Sequence, residues 1–171
     1  KTEGQMDLPW GISTDGNGHI YVADWGNHRV QEFLADGTFV KSFGYYGKGE
    51  GELIHPSSVT VDGNGFVYVA DWGNHRLQVY DSEASFICST RGEATLSKWA
   101  HEFLDTNVEE KEARLKSELV FKLDGFEDDP HEESAHVEKF FWSPTAVRVH
   151  EEYVLIVESN RHRLQVFHQV S

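Results

Sequence analysis

Three histidines stand at one repeated place in this chain. His28 and His75 lie in the segments Asp24-Trp25-Gly26-Asn27-His28-Arg29 and Asp71-Trp72-Gly73-Asn74-His75-Arg76, and His162 holds the same place in Glu158-Ser159-Asn160-Arg161-His162-Arg163. Three neutral imidazoles bind zinc when they converge on one tetrahedral site. The set is therefore the candidate metal centre, with zinc or calcium as the ion; the competing use is structural, because repeat-equivalent side chains converge only close to a shared axis. Trp25 and Trp72 sit on the same segments, and an aromatic on a turn is either a partner anchor or a packing residue. Arg148 stands where the other copies carry Ser13 and Thr60, and so offers a cation to an anionic ligand. Trp99 is a further partner-facing candidate. Asp24 and Asp71 end strands and precede turns, which assigns their carboxylates to backbone N–H groups or to Arg29 and Arg76. Gly44 to Gly51 has no Lys-Ser/Thr and no strand-to-helix context, so it is a loop rather than a phosphate cradle. No serine or cysteine nucleophile motif occurs, so no catalytic residue is assigned and no cofactor is expected beyond the candidate ion.

The elements that carry these residues come from a repeat. ISTDGNGHIYVADWGNHRVQEF from Ile12 returns as VTVDGNGFVYVADWGNHRLQVY from Val59, and Pro9 to Pro56, Asp24 to Asp71 and His28 to His75 share one offset of 47 positions. A third copy from Pro144, VRVHEEYVLIVESNRHRLQVF, is one residue shorter at the first turn and puts Glu158 where Asp71 stands. Each copy has β chemistry: a strand over Gly11 to Thr14, a turn at Asp15-Gly16-Asn17-Gly18, strands over His19 to Ala23 and Val30 to Leu34, and a fourth over Thr38 to Phe43, with Ser85 to Ser89 as the fourth in copy two. Four short antiparallel strands repeating in this way predict propeller blades. Apolar residues on both faces fit a blade sandwiched between neighbours.

PWGISTDGNGHIYVADWGNHRVQEF and its two copies resemble NHL repeats, a family with a Pro-Gly-Ile/Val-x-x-Asp entry, a YVAD strand and an Asn-x-Arg-Val/Ile/Leu-Gln exit, strongly in the first two copies and divergently in the third. The resemblance covers Leu8 to about Ser89 and Ser143 to Phe167. It implies an all-β fold of four-stranded NHL-type β-propeller blades, about half of a six-bladed ring, in which Asn-His-Arg is a common turn. It also implies an outline similar to the peptidylamidoglycolate lyase propellers, which hold zinc by histidines in the channel; only His28, His75 and His162 match in that respect. The last copy stops after its third strand. The ring is therefore expected to be completed by a second copy or by the remainder of a longer chain.

From His75 to His162 the spacing is 87, which is 40 more than the regular 47, so with the one-residue deletion about 41 residues are inserted. Blades 1 and 2 thus span 1–90, the insertion 91–141 and blade 3 142–171. Leu96, Trp99, Ala100, Phe103 and Leu104 recur with helical spacing, with Thr95 or Ser97 as a cap. A second helix is expected from Val108 to Leu119, and Asp124 to Glu138 is an acidic loop. Because strands alternate direction, the insertion is expected over the turn face bearing Trp25, His28, Trp72, His75 and His162.

A formal charge of −14, from 29 acidic against 15 basic side chains, repels a phosphate backbone, so nucleic acid is not the expected partner. A hydrophobic content of 39% suffices for a packed core. Cys88 stands alone and excludes an intrachain disulfide. No apolar run is long enough to span a bilayer, so a soluble chain is expected, in a compartment that nothing in it names. It opens on Lys1 with no signal-like segment, which suggests processing or a portion of a longer polypeptide. Together these features point to a noncatalytic scaffold that binds a protein or peptide through the turn face and its helical insertion. The alternative is a metal-dependent lyase or hydrolase built on the three histidines. RNA recognition would need a basic face.

Overall fold

Asp15, Asp62 and Asp81 each fold a tight turn by the same means. The Oδ1 of Asp15 accepts the N–H groups of Asn17 and His19, that of Asp62 those of Asn64 and Phe66, and that of Asp81 those of Glu83 and Ser85. A carboxylate that caps its own turn leaves the flanking Val, Ile, Tyr and Phe residues to pair as strands. The computed structural model describes residues 2–92, 105–109, 112, 131, 134–135 and 140–169. Blade 1 is a four-stranded antiparallel sheet, β1 (Pro9–Thr14), β2 (Ile20–Asp24), β3 (Arg29–Phe33) and β4 (Phe39–Phe43), paired in sequence order. Blade 2 repeats it as β5 (Pro56–Val61), β6 (Val67–Asp71), β7 (Arg76–Tyr80) and β8 (Phe86–Thr90). Blade 3 has three strands, β9 (Pro144–His150), β10 (Tyr153–Glu158) and β11 (Arg163–His168). The first strands lie side by side, β1 on β5 and β5 on β9, as radial blades require.

Each first strand begins two residues earlier than the sequence pattern suggests, at the proline. A β-bulge follows it, between Pro9 and Ile12 and between Pro56 and Ser58. Proline is tolerated there because the first strand residue need not donate to the ladder. The shortened turn of blade 3 closes on Glu151, which takes the left-handed conformation (φ 53°) that glycine supplies in the other copies. The proposed first insertion helix, Trp99 included, lies outside the described residues. So does most of the second helix and of the acidic loop.

Period-two alternation gives every blade two apolar faces, and the core lies between blades. Tyr21, Ala23, Val30 and Phe43 of blade 1 pack on Leu53, Val59, Val67, Val69 and Tyr80 of blade 2. The opposite face of blade 2, Tyr68, Ala70 and Leu77, packs on Phe141, Val147, Val154 and Ile156. A fully buried Val, Leu or Phe contributes about 1.5–3 kcal/mol, against about 0.5–1.5 kcal/mol for one hydrogen bond. Apolar contact therefore holds the blades together, and polar groups set where they meet.

Those polar groups are built around a carboxylate at the same place in each blade. Asp24, Asp71 and Glu158 are fully enclosed. In blade 2 the Oδ2 of Asp71 accepts from Asn74 Nδ2 (2.8 Å), Arg76 Nε (2.8 Å) and Gln78 Nε2 (3.1 Å), while Oδ1 accepts the N–H of Ile54 at 2.8 Å. Asp24 repeats the set with Asn27, Arg29, Gln31 and the N–H of Asp7. Glu158 keeps three of the four partners, Arg163, Gln165 and the N–H of Trp142, while Arg161 stands at the place of the asparagine. Burial pushes the Asp71 carboxyl upward, opposed by Asn74, the Ile54 N–H and Arg76. The arginine and glutamine continue outward to the entry segment: Arg76 donates to the carbonyls of Lys48, Gly49 and Glu52, and Gln78 to that of Glu52.

A second polar device links successive blades. His28, His75 and His162 are left-handed (φ 57°, 53° and 50°), a region that histidine enters more readily than most residues. Each follows a tight turn closed by its own N–H on the carbonyl of Trp25, Trp72 or Ser159. The Nδ1 of His28 accepts the N–H of His55 at 3.1 Å, and that of His75 the N–H of Ser143 at 2.9 Å. Both donors precede the proline that opens the next blade, and both are themselves left-handed.

Two outcomes follow. Asp71→Ala strands four donors and is expected to cost about 3–5 kcal/mol in urea unfolding. Asp71→Glu, which copies blade 3, is expected to cost clearly less, and equal losses would contradict the shared role. Burial first and His55 second lower the His28 pKa below its ordinary 6.5. The unfolded chain therefore takes up that proton before the folded one, and the stability held above about pH 6.5 is lost as pH falls through the lower folded value. The thermal midpoint of the wild type should fall between pH 7 and 5 more steeply than that of His28→Asn, which retains access to the left-handed turn.

Candidate functional site

The turn face gathers rings. β1 starts opposite the end of β2, with Pro9 in register with Asp24, and this sets Trp10 beside the turn that carries Trp25. Trp10 stacks on Trp25 with ring centroids 5.3 Å apart and planes 25° from parallel. The His55 ring also stacks on Trp25, at 3.8 Å and 21°. Trp72 lies tilted at 6.4 Å from Trp25, and His28 meets His55 at 4.3 Å and Tyr46 edge-on at 5.0 Å. The His55 Nδ1 is 3.1 Å from the Trp25 carbonyl, which locks this ring in place.

Exposure divides the cluster into a foundation and a surface. Trp25 and Trp72 are half-buried, whereas Trp10 is 55% exposed and Tyr46 68%. The Trp25 Nε1 is buried and has no hydrogen-bond partner among the described residues. An open notch of about 280 Å³ beside the cluster is lined by Asn27, Arg29, Ser42, Gly44, Tyr45 and Tyr46. Arg29 is not available to a ligand there, since its guanidinium is held by Asp24 and the carbonyls of Thr2 and Gln5. What the surface offers is aromatic area with polar edges.

The remaining candidates are dispersed. His28 and His75 each spend Nδ1 on the entry of the next blade, and His162 is exposed. Among the described residues no three His, Cys, Asp or Glu side chains come together as a metal-binding group, so the structure does not bring the three histidines to one centre. Arg148 is exposed on β9, opposite Leu155 in register. Trp99 lies outside the described residues. The described part of the insertion touches the turn face at defined points. Arg161 donates to the carbonyls of Ser134 and Ala135, and the His131 ring lies 5.3 Å from His75, while within the insertion Arg91 donates to Ser134 Oγ at 2.8 Å.

Reasoning from sequence singled out Trp25 and Trp72 but not Trp10, His55 or Tyr46. Trp10 breaks the repeat, since Ser57 holds its place in blade 2, and Leu8 stands where blade 2 has His55. Departures from the repeat inside a near-identical pair were the available signal.

Comparison with known proteins places the first two blades. The NHL repeat family model matches residues 6–33 and 53–80. The chain is 47% identical over 38 residues to the chicken E3 ubiquitin-protein ligase TRIM71, a match covering 22% of this chain and 4% of that protein. It is 47% identical over 38 residues to protein lin-41 of Caenorhabditis elegans, covering 22% and 3%. The chain thus spans only a few per cent of the length of the curated relatives it matches. Among solved structures, a gluconolactonase from Xanthomonas campestris aligns with a TM-score of 0.48 at 12% identity, covering 91% of this chain and 36% of that one. Repeat, strand order and family match agree: the first two blades of this chain are NHL repeats of a β-propeller.

Proposed function

We propose that this chain is a noncatalytic binding module that recognises a protein or peptide segment through the turn face, with the insertion as part of the docking surface. The observation that carries the reading is the supported aromatic surface. Trp10 is more than half exposed while its other side is stacked on a tryptophan that is itself clamped by His55. A ring immobilised in advance loses little conformational freedom on binding, and Trp and Tyr dominate the binding energy of protein interfaces for this reason. Tyr45 and Tyr46, 64% and 68% exposed, extend the same surface. The acidic balance of the chain favours a partner segment that is not itself acidic. The insertion, anchored through Ser134 and Ala135 on Arg161, supplies a rim.

The reading is tested by selecting short linear peptides from a displayed random library against the purified chain and measuring the affinity of the best binder. Trp10→Ala is expected to weaken it about 30-fold, the equivalent of a 2 kcal/mol anchor, with the circular dichroism of the chain unchanged. A library that yields no binder, or binders indifferent to Trp10 and Tyr46, would remove the turn face from consideration. Elemental analysis of protein purified without chelators decides the metal-dependent alternative. Stoichiometric zinc or calcium, lost in His75→Ala, would favour a lyase or hydrolase instead, and its absence supports the binding module.

A further inference from the structure

Blade 3 turns outward the face that blades 1 and 2 bury. In blade 2, Ala70 and Leu77, 0% and 4% exposed, seat against Phe141, Val147 and Ile156, with Val79 beside them. The residues at the same register positions of blade 3 are Val157, Leu164 and Val166, and they are 44%, 56% and 54% exposed. All three are apolar although nothing among the described residues covers them. Blade 1 shows the converse at the other end. Leu53 and Val59 of blade 2, 0% and 1% exposed, receive Ala23 and Val30 of blade 1, while their equivalents in blade 1, Met6 and Ile12, are 38% and 62% exposed. The polar joint is divided in the same way. His162 is left-handed and exposed where His28 and His75 accept the N–H that opens the next blade. Leu8 is left-handed and 61% exposed where His55 and Ser143 donate it. One end of the chain thus carries the inserting face and the acceptor half of a joint, and the other carries the receiving face and the donor half.

We infer that these two ends dock on each other between two copies of this chain, blade 3 of each seating on blade 1 of the other, with the Nδ1 of His162 accepting the Leu8 N–H of the second copy. The occupant is chosen by complementarity already realised twice inside the molecule: a surface of this repeat is what these faces pack against at both internal interfaces. A head-to-tail contact either closes into a ring or runs on as a filament. Propellers close at about four to eight blades, and two copies of the three described blades make six, so a pair of copies suffices for closure and makes two identical interfaces. The inference concerns the blade ends and is independent of the turn-face reading.

Native mass tests it directly. Light scattering of the purified chain is expected to give twice the 19.5 kDa of one chain. Leu164→Asp and Ile12→Asp change exposed side chains at opposite ends, and each is expected to give a monomer with the circular dichroism of the wild type. Mixing the two variants is expected to restore a dimer, because the intact blade 3 face of one meets the intact blade 1 face of the other. His162→Ala, a milder change, is expected to raise the dissociation constant about tenfold, since the joint is lost at both interfaces. A wild type at monomer mass, open oligomers of growing size, or a mixture that stays monomeric would each overturn the inference. Peptide binding in the monomeric variants would separate its failure from that of the turn-face reading.

Discussion

Everything ordered about the turn face hangs on a carboxylate taken out of water. Burying a charge is unfavourable by several kcal/mol unless donors replace the lost hydration. Around Asp71 three side-chain donors and one backbone N–H do so, and the spacing of the repeat follows from that requirement. Asn74, Arg76 and Gln78 stand three, five and seven residues on, which brings all three to one oxygen across a tight turn and a β-strand. The other oxygen is reserved for the chain entering the blade, at Ile54. A charge, a turn, a strand and an incoming segment are thus ordered together, and removing any one leaves the others with unsatisfied polar groups. Blade 3 retains the arrangement with a side chain one methylene longer: Glu158 reaches Arg163, Gln165 and the Trp142 N–H. The chemistry of the node is conserved between copies while its exact reach is not.

The second constraint is that strands are too short and blades too thin to bury anything alone. Alternation along β6 sends Val67 and Val69 to one neighbour and Tyr68 and Ala70 to the other, so that a single strand serves two interfaces. Stability is a property of adjacent blades, as in other repeat architectures. The histidine joint adds direction. An acceptor on the outgoing turn meets a donor on the incoming one, and a pre-proline residue in the left-handed region aims that donor. The geometry therefore distinguishes the leading from the trailing face of every blade, which an apolar surface by itself would not do.

How much of this was legible in the sequence depended on whether partners lay inside one copy. The four strands, the turns between them, and the use of Asp24 and Asp71 to hold backbone N–H groups or Arg29 and Arg76 are local to a blade and repeat at fixed spacing, so residue order suffices to find them. The role of His28 and His75 was not legible, because its other half is a backbone N–H in the next blade, His55 or Ser143, and a main-chain donor leaves no mark in a sequence. The column of Trp10, Trp25 and His55 was missed for a related reason. It depends on two positions at which the near-identical copies differ, and on contact across a blade boundary that periodicity does not report.

These two kinds of position divide the turn face by function. Residues shared by the copies, the carboxylate, its arginine and glutamine donors and, in blades 1 and 2, the histidine, are consumed by holding the blade and joining it to the next; their bonded polar atoms have little to offer a ligand. Residues that do not recur, Trp10, Tyr46 and the contacts made by the insertion, are exposed or anchored from behind, and no structural requirement of the repeat accounts for them. A repeat fold must keep its shared residues for its own cohesion, so recognition has to be written in the departures. The histidines stand out in the sequence because they repeat, and in blades 1 and 2 that repetition serves the joint between blades, whereas the unrepeated tryptophan at the start of β1 presents exposed aromatic area backed by a second ring, the feature on which the proposed binding role rests.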